Sequence, residues 1–198
     1  MKKSTIFIVL AVLCLKFTSR AQSSEPFSSK SRLTPQLEIG AKLPESFWTD
    51  NHTFRKNGKD VKKNLTTAKG KIVILDFWAI WCTSCLHKLP ILDSIRKAYP
   101  EEVAIFAVNS VYTQDKAENI DNVFSGKRKP FKSYSLPSIV QDSLLWKTFP
   151  HHVLSHVIWI QEGRILAMTS GDFISAEFID RLVSEQRILN QKRKSKQP

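Results

Sequence analysis

Apolar residues cluster along this chain in runs of two kinds. Lys71 to Phe77 and Val103 to Asn109 are nearly all apolar, the pattern of strands covered on both faces. Between them, Leu86, Leu89, Leu92, Ile95 and Tyr99 recur at helical spacing, with Ile91 and Ala98 alongside. Lys88, Asp93, Arg96 and Lys97 are left for solvent, and Pro90 is expected to kink this helix. A weaker, polar helix is predicted from Gln114 to about Ser125. A short extended piece follows at Ser138–Val140, then one or two helical turns over Leu144–Phe149.

Val157–Ile160 and Ile165–Met168 flank the turn Glu162-Gly163 as a hairpin, and Ser175 caps a last helix. Phe178, Ile179, Leu182, Val183 and Leu189 give that helix its apolar face. Upstream, Asn57-Gly58 is a strong turn signal, and Phe47-Trp48 with Phe54 are expected to form a short hairpin. The order strand, helix, strand, helix, hairpin, helix predicts a small α/β sandwich.

The first residues read differently. Lys2 and Lys3 precede the apolar run Ile6–Leu15, and Ser19-Arg20-Ala21 supplies small residues for cleavage before Gln22. Ten apolar residues are too few to span a bilayer, so 1–21 is expected to be a cleaved secretory signal. Residues 22–35 are then a Ser-, Lys- and Pro-rich linker, 36–190 the folded domain, and 191–198 a basic tail. The protein is thus expected in the periplasm or cell envelope, soluble after cleavage.

The signal would also remove Lys2, Lys3, Lys16 and Arg20 from a formal net charge of +12. The remaining basic residues lie in separate patches, at 55–71, 127–132 and 187–196, with no interleaved aromatics in the tail. They are expected to be solvated faces and a frayed end, and nucleic acid is not expected as a partner.

Of the three cysteines, Cys14 lies in the signal, so the mature chain keeps Cys82 and Cys85. Two thiols three positions apart at a strand-to-helix junction can close a small disulfide. A staple over so short a loop stabilises little, which favours a redox couple. Cys82 falls at the helix start, where unpaired N–H groups and the helix dipole favour thiolate.

The stretch Asp76-Phe77-Trp78-Ala79-Ile80-Trp81-Cys82-Thr83-Ser84-Cys85, with Pro90 and Glu162-Gly163-Arg164, resembles the thioredoxin superfamily. The likeness is to its exported TlpA-like thiol–disulfide oxidoreductases, over roughly residues 36–190, and it implies an α/β fold, a three-layer α/β/α sandwich with a central mixed sheet and an N-terminal extension. It implies that Cys82 attacks, that Cys85 resolves the mixed disulfide, and that the buried carboxyl of Asp76 accepts the proton of Cys85. It further implies substrate contacts from Trp81, Thr83, Ser84, Leu154 and Ser155, and action as a reductase. No cofactor is expected beyond the redox-active Cys82–Cys85 disulfide. Cysteine-containing substrate proteins and a membrane thiol electron donor are the implied partners. Trp78 is read equally as a neighbour of the sulfurs or as plain core.

The family carries a cis-proline immediately before the first hairpin strand, where it orients the substrate backbone and keeps metals off the thiols. Here Ser155 occupies that slot. A cis bond before serine costs about 2.5–4 kcal/mol, so the Leu154–Ser155 bond is expected to be either strained or trans. The substitution sets two alternatives beside the oxidoreductase. One is a non-catalytic protein-binding module, which the basic loop at 127–132 also suits. The other is a metal site recruiting His151, His152 or His156 to the thiols, although structural zinc prefers four ligands. Covalent haem is disfavoured because Leu86 follows Cys85 and His87 comes one residue too late. Peroxide reduction lacks the Thr and Arg that support a peroxidatic cysteine.

Overall fold

Every residue of β3, Ile72–Phe77, is buried, and the alternation of side chains along it builds two cores. Ile72 and Ile74 face one side of the sheet, where they meet the helix Thr83–Ala98 (α2) and the C-terminal helix. Val73, Leu75 and Phe77 face the other, against Phe47, Trp48, Leu145 and Phe149. This computed structural model describes residues 37–195, so the expected signal, the linker and Cys14 lie outside the described residues.

The elements run α1 (Glu45–Thr49), β1 (His52–Lys56), β2 (Lys59–Lys63), β3, α2, β4 (Val103–Ser110), α3 (Ala117–Phe124), β5 (Ser138–Asp142), α4 (Leu144–Thr148), β6 (His156–Gln161), β7 (Arg164–Thr169) and α5 (Ala176–Lys194). The seven strands lie in the order β2-β1-β5-β4-β3-β6-β7. β3, β4 and β5 are parallel neighbours, and antiparallel pairs flank them on both sides. The sheet is therefore mixed, with helices on both faces, as the family resemblance implies.

Several local expectations are corrected. Phe47 and Trp48 lie in α1, not in a hairpin strand, and pack edge to face at 4.8 Å between ring centroids. Pro44, at φ −67°, leads directly into that helical turn. The hairpin forms one segment later, from β1 and β2 around Asn57 and Gly58. Both turn residues take positive φ, 52° and 75°, as a tight two-residue turn requires.

Asp93 is buried rather than solvated, because Lys97 donates to it at 2.6 Å and Ser135 at 3.0 Å. Leu189 is exposed, and Gln186 takes the buried position on α5, bonded to Gln161 and Asn190. The basic C-terminal stretch is also not simply frayed. α5 continues to Lys194, and Arg187 and Arg193 pair with Glu102 and Glu162. Among the described residues, no helix is long and apolar enough to cross a membrane.

Candidate active site

The chain leaves β3 through a short loop tied to β4 at its start and closed by its own turn at its end. Trp78 N donates to Val108 O at 3.0 Å, and Cys82 N to Ala79 O at 3.1 Å. Cys82 is the N-cap of α2, with its carbonyl accepting from Leu86 N and its sulfur from Cys85 N at 3.3 Å. The three-residue spacing of a first helical turn brings the two Cα atoms to 5.3 Å, within disulfide range, and Cys82 and Cys85 are bonded. The two sulfurs differ in access. Cys82 keeps 7% of its surface exposed, whereas Cys85 is fully enclosed. An attacking partner can reach Cys82 first, and a thiolate there would sit on the free N–H groups of a 16-residue helix.

Asp76 lies two residues after Ile74 on β3, so its side chain projects toward the same face as α2 and the disulfide. It is completely buried. Oδ1 accepts a hydrogen bond from Ser155 Oγ at 2.9 Å, and Oδ2 has no hydrogen-bond partner among the described residues. Burial pushes this carboxyl up to about 7, against smaller downward pulls from the Ser155 hydroxyl and the charge on Lys88. A group poised there exchanges a proton readily near neutral pH.

Ser155 occupies the position expected of the family's proline, and the Leu154–Ser155 peptide is cis. The sequence left the isomer open. It gave no sign that the serine hydroxyl turns inward onto the buried carboxylate. Leu154 packs against both cores. Together with Trp81, Tyr112, Trp146, His151 and His152 it lines a shallow groove of about 140 Å³. Trp81 is 63% exposed on the groove wall, and the rings of Tyr112 and Trp146 meet at 4.0 Å between centroids, tilted by 38°. Thr83 and Ser84 are exposed on the first turn of α2, with Ser84 Oγ 3.4 Å from Cys82 Sγ. Trp78 resolves toward core: it is fully buried, in the same cluster as both cysteines, with its ring edge-on to Phe124.

The histidines considered as metal ligands have other surroundings. His156 pairs in register with Phe77 and, by strand alternation, lies on the face opposite Asp76. Its ring stacks on that of His151 at 4.8 Å, and burial lowers it to about 4, with His151 adding to the shift. Nδ1 of His151 lies 2.9 Å from Phe149 O. Among the described residues, no group of three or more His, Cys, Asp or Glu is arranged to hold a metal ion.

Three positioning side chains escape the sequence reading. Asp115 Oδ2 accepts from Ile80 N at 2.8 Å and from Asn109 Nδ2 at 2.7 Å. Asn109 Nδ2 also reaches Trp78 O. Arg128 Nη1 donates to Ile80 O at 2.5 Å. Arg128 is thus no solvated member of a basic loop but a clamp on the segment carrying Cys82. Asp115 and Arg128 lie 35 and 48 residues beyond Ile80, so no local pattern marks them. The one sequence hint is Asn109, a polar residue closing an apolar strand.

The family model described as Thioredoxin matches residues 53–123, which include the Cys82–Cys85 turn. Thioredoxin-like protein YneN of Bacillus subtilis is 44% identical over 48 residues, covering 24% of this chain and 28% of that protein. Thiol-disulfide oxidoreductase ResA of Bacillus cereus is 30% identical over 119 residues, 60% of this chain and 63% of that protein. The chain therefore spans less than two thirds of the length of these curated relatives. Among solved structures, a putative thiol:disulfide interchange protein DsbE from Chlorobium tepidum superposes with a TM-score of 0.52 at 21% identity. That match covers 78% of this chain and 97% of the other, a likeness of fold. With the sheet order, the helix-capping Cys82 and the buried Asp76 in place, the chain has a thioredoxin-like fold, and over these stretches it is similar to thiol–disulfide oxidoreductases.

Proposed function

We propose that this protein is a thiol–disulfide oxidoreductase of the cell envelope that reduces disulfides in protein substrates through Cys82 and Cys85. The observation that carries the reading is the asymmetry of the pair. One sulfur is reachable and caps a helix, while the other is enclosed on the sheet face that carries a carboxyl poised near neutrality.

In the dithiol form, the Cys82 thiolate attacks a substrate disulfide and one substrate sulfur leaves with the electron pair, taking up a proton. Asp76 then removes the proton of Cys85, directly or through a water. The Cys85 thiolate attacks Cys82 Sγ, and the second substrate sulfur leaves. Two electrons pass to the substrate, and the protein ends with the Cys82–Cys85 disulfide, which needs no further cofactor. A thiol donor on the membrane would return the electrons.

The substrate chain is placed in the groove beside Cys82. Trp81 and Leu154 line that groove, and Thr83 and Ser84, exposed on the first turn of α2, with Ser155 are the further contacts that the family resemblance implies. The leader-like residues 1–21 support export, and the resemblance to TlpA-like proteins supports the reducing direction.

Insulin reduction with dithiothreitol as electron source tests this reading. Turnover that disappears in Cys82→Ser is the expected result. Equal rates for the variant and the parent reject exchange and leave a thioredoxin-like binding module in its place.

A further inference from the structure

We propose that Ser155 is a positioning residue for the exchange reaction: its hydroxyl, donating to Oδ1 of Asp76, favours the ionised carboxylate and leaves Oδ2 to take the Cys85 proton. This rests on the exchange reading above and adds to it a residue that the sequence marks as a defect.

A buried carboxylate loses its hydration, and a donor aimed at one oxygen replaces part of what water supplied. The hydroxyl of Ser155 does this at 2.9 Å. Proline in the same slot carries no donor at all. Gly171, which opens the 3₁₀ turn Gly171–Phe173 after β7, lies close beside the hydroxyl. A Cβ added at Gly171 would come within 2.7 Å of Ser155 Oγ and 3.1 Å of Ser155 Cβ, so a glycine is what leaves room for the serine. The same Cβ would lie 3.6 Å from Lys88 Cγ on α2. Ser155, Gly171 and Lys88 thus form one contiguous group, and Lys88 is the cation that bears on Asp76.

The proton step is balanced within this group. Cys85 S–H breaks, the proton passes to Oδ2, and the Ser155 hydroxyl keeps donating to Oδ1 in either state. Because that bond is stronger to the ionised carboxylate, losing it raises the pH at which Asp76 becomes a base.

The test is a titration of the Asp76 carboxyl in the full-length, disulfide-bonded protein by carbon-13 NMR, with Asp76→Asn identifying the signal. Ser155→Ala is expected to move the midpoint upward by about 1–2 pH units, and Ser155→Thr, which keeps the hydroxyl, to restore it. Release of substrate thiol from a mixed disulfide on Cys82 should shift along the pH axis in the same direction. Coincident carboxyl titrations of Ser155→Ala and the parent overturn the proposal. Where Ser155→Ala does not fold, Gly171→Ala displaces the hydroxyl instead, and an unchanged Asp76 midpoint there is equally fatal. A parent protein that reduces no disulfide at any pH overturns the exchange reading alone. The titration is made on the resting disulfide form, so it still decides whether Ser155 controls the carboxyl.

Discussion

Asp115 holds Ile80: its Oδ2 accepts the Ile80 backbone N–H at 2.8 Å while also accepting from Asn109 at 2.7 Å. One buried carboxylate oxygen thereby joins the end of β4 to the turn that presents Cys82.

Removing that acceptor should loosen the turn. Asp115→Ala leaves the Ile80 N–H and the Asn109 amide short of a partner, a loss of about 1–3 kcal/mol. Asp115→Asn keeps a carbonyl acceptor and should lose less. Hydrogen exchange at Ile80 reads the local effect, and thermal unfolding reads the global one. Undiminished protection of the Ile80 amide in Asp115→Ala would show that Arg128 alone fixes the segment.

How far the sequence carries this site depends on the range over which each contact acts. Cys82, Cys85 and the burial of β3 were legible because strand, turn and helix signals are local, and the apolar run Ile72–Leu75 announces a strand covered on both faces. Asp76 was legible through the resemblance. Asp115 and Arg128 were not, since their partner Ile80 is far off in sequence and only the parallel pairing of β3 with β4 brings the segments together. Ser155 was legible as a position, but its contact with Asp76 was not. The sequence names the hydroxyl, and the packing of Gly171 against it sets where it points. Asp93 was misread for a related reason. Helical periodicity puts it on the polar side, but Ser135 comes from a distant loop to cover it.

Stability should depend on pH through Asp76 in a definite sense. Its folded-state value of about 7 lies above the ordinary 3.8. Between roughly pH 4 and 7 the unfolded chain therefore ionises this carboxyl while the folded protein keeps it protonated. Stability falls as pH rises through that window, and the full cost, up to roughly 4 kcal/mol, is present above pH 7. Asp76→Asn should remove this slope and be more stable than the parent at pH 8, by urea unfolding of the disulfide form. Parallel pH profiles for the two proteins would show that Asp76 ionises as freely when folded as when unfolded.

His156 acts in the opposite direction. Burial holds it down to about 4 from 6.5, so as pH falls through that interval the unfolded chain takes up a proton that the folded protein refuses. Stability is therefore lost toward acid. His156→Phe should flatten the acid limb of the unfolding profile and leave the neutral limb to Asp76. An acid limb as steep as the parent's would assign that loss to other groups.

The difference in access between the two sulfurs should appear as a difference in reaction order. After reduction, iodoacetamide should alkylate Cys82 first, because it is the less enclosed of the two cysteines and the helix N-terminus raises its thiolate fraction. Cys85, fully enclosed, should react at least ten times more slowly at pH 7, an order-of-magnitude figure corresponding to about 1.4 kcal/mol of differential access and ionisation. Peptide mapping after a short pulse of reagent distinguishes the two. In Cys85→Ser a mixed disulfide formed at Cys82 should persist, since no neighbouring thiol remains to attack it. Equal labelling of both cysteines in the parent would contradict the assignment of Cys82 as the attacking group, because the enclosure that sets the order of reaction would then be absent in solution.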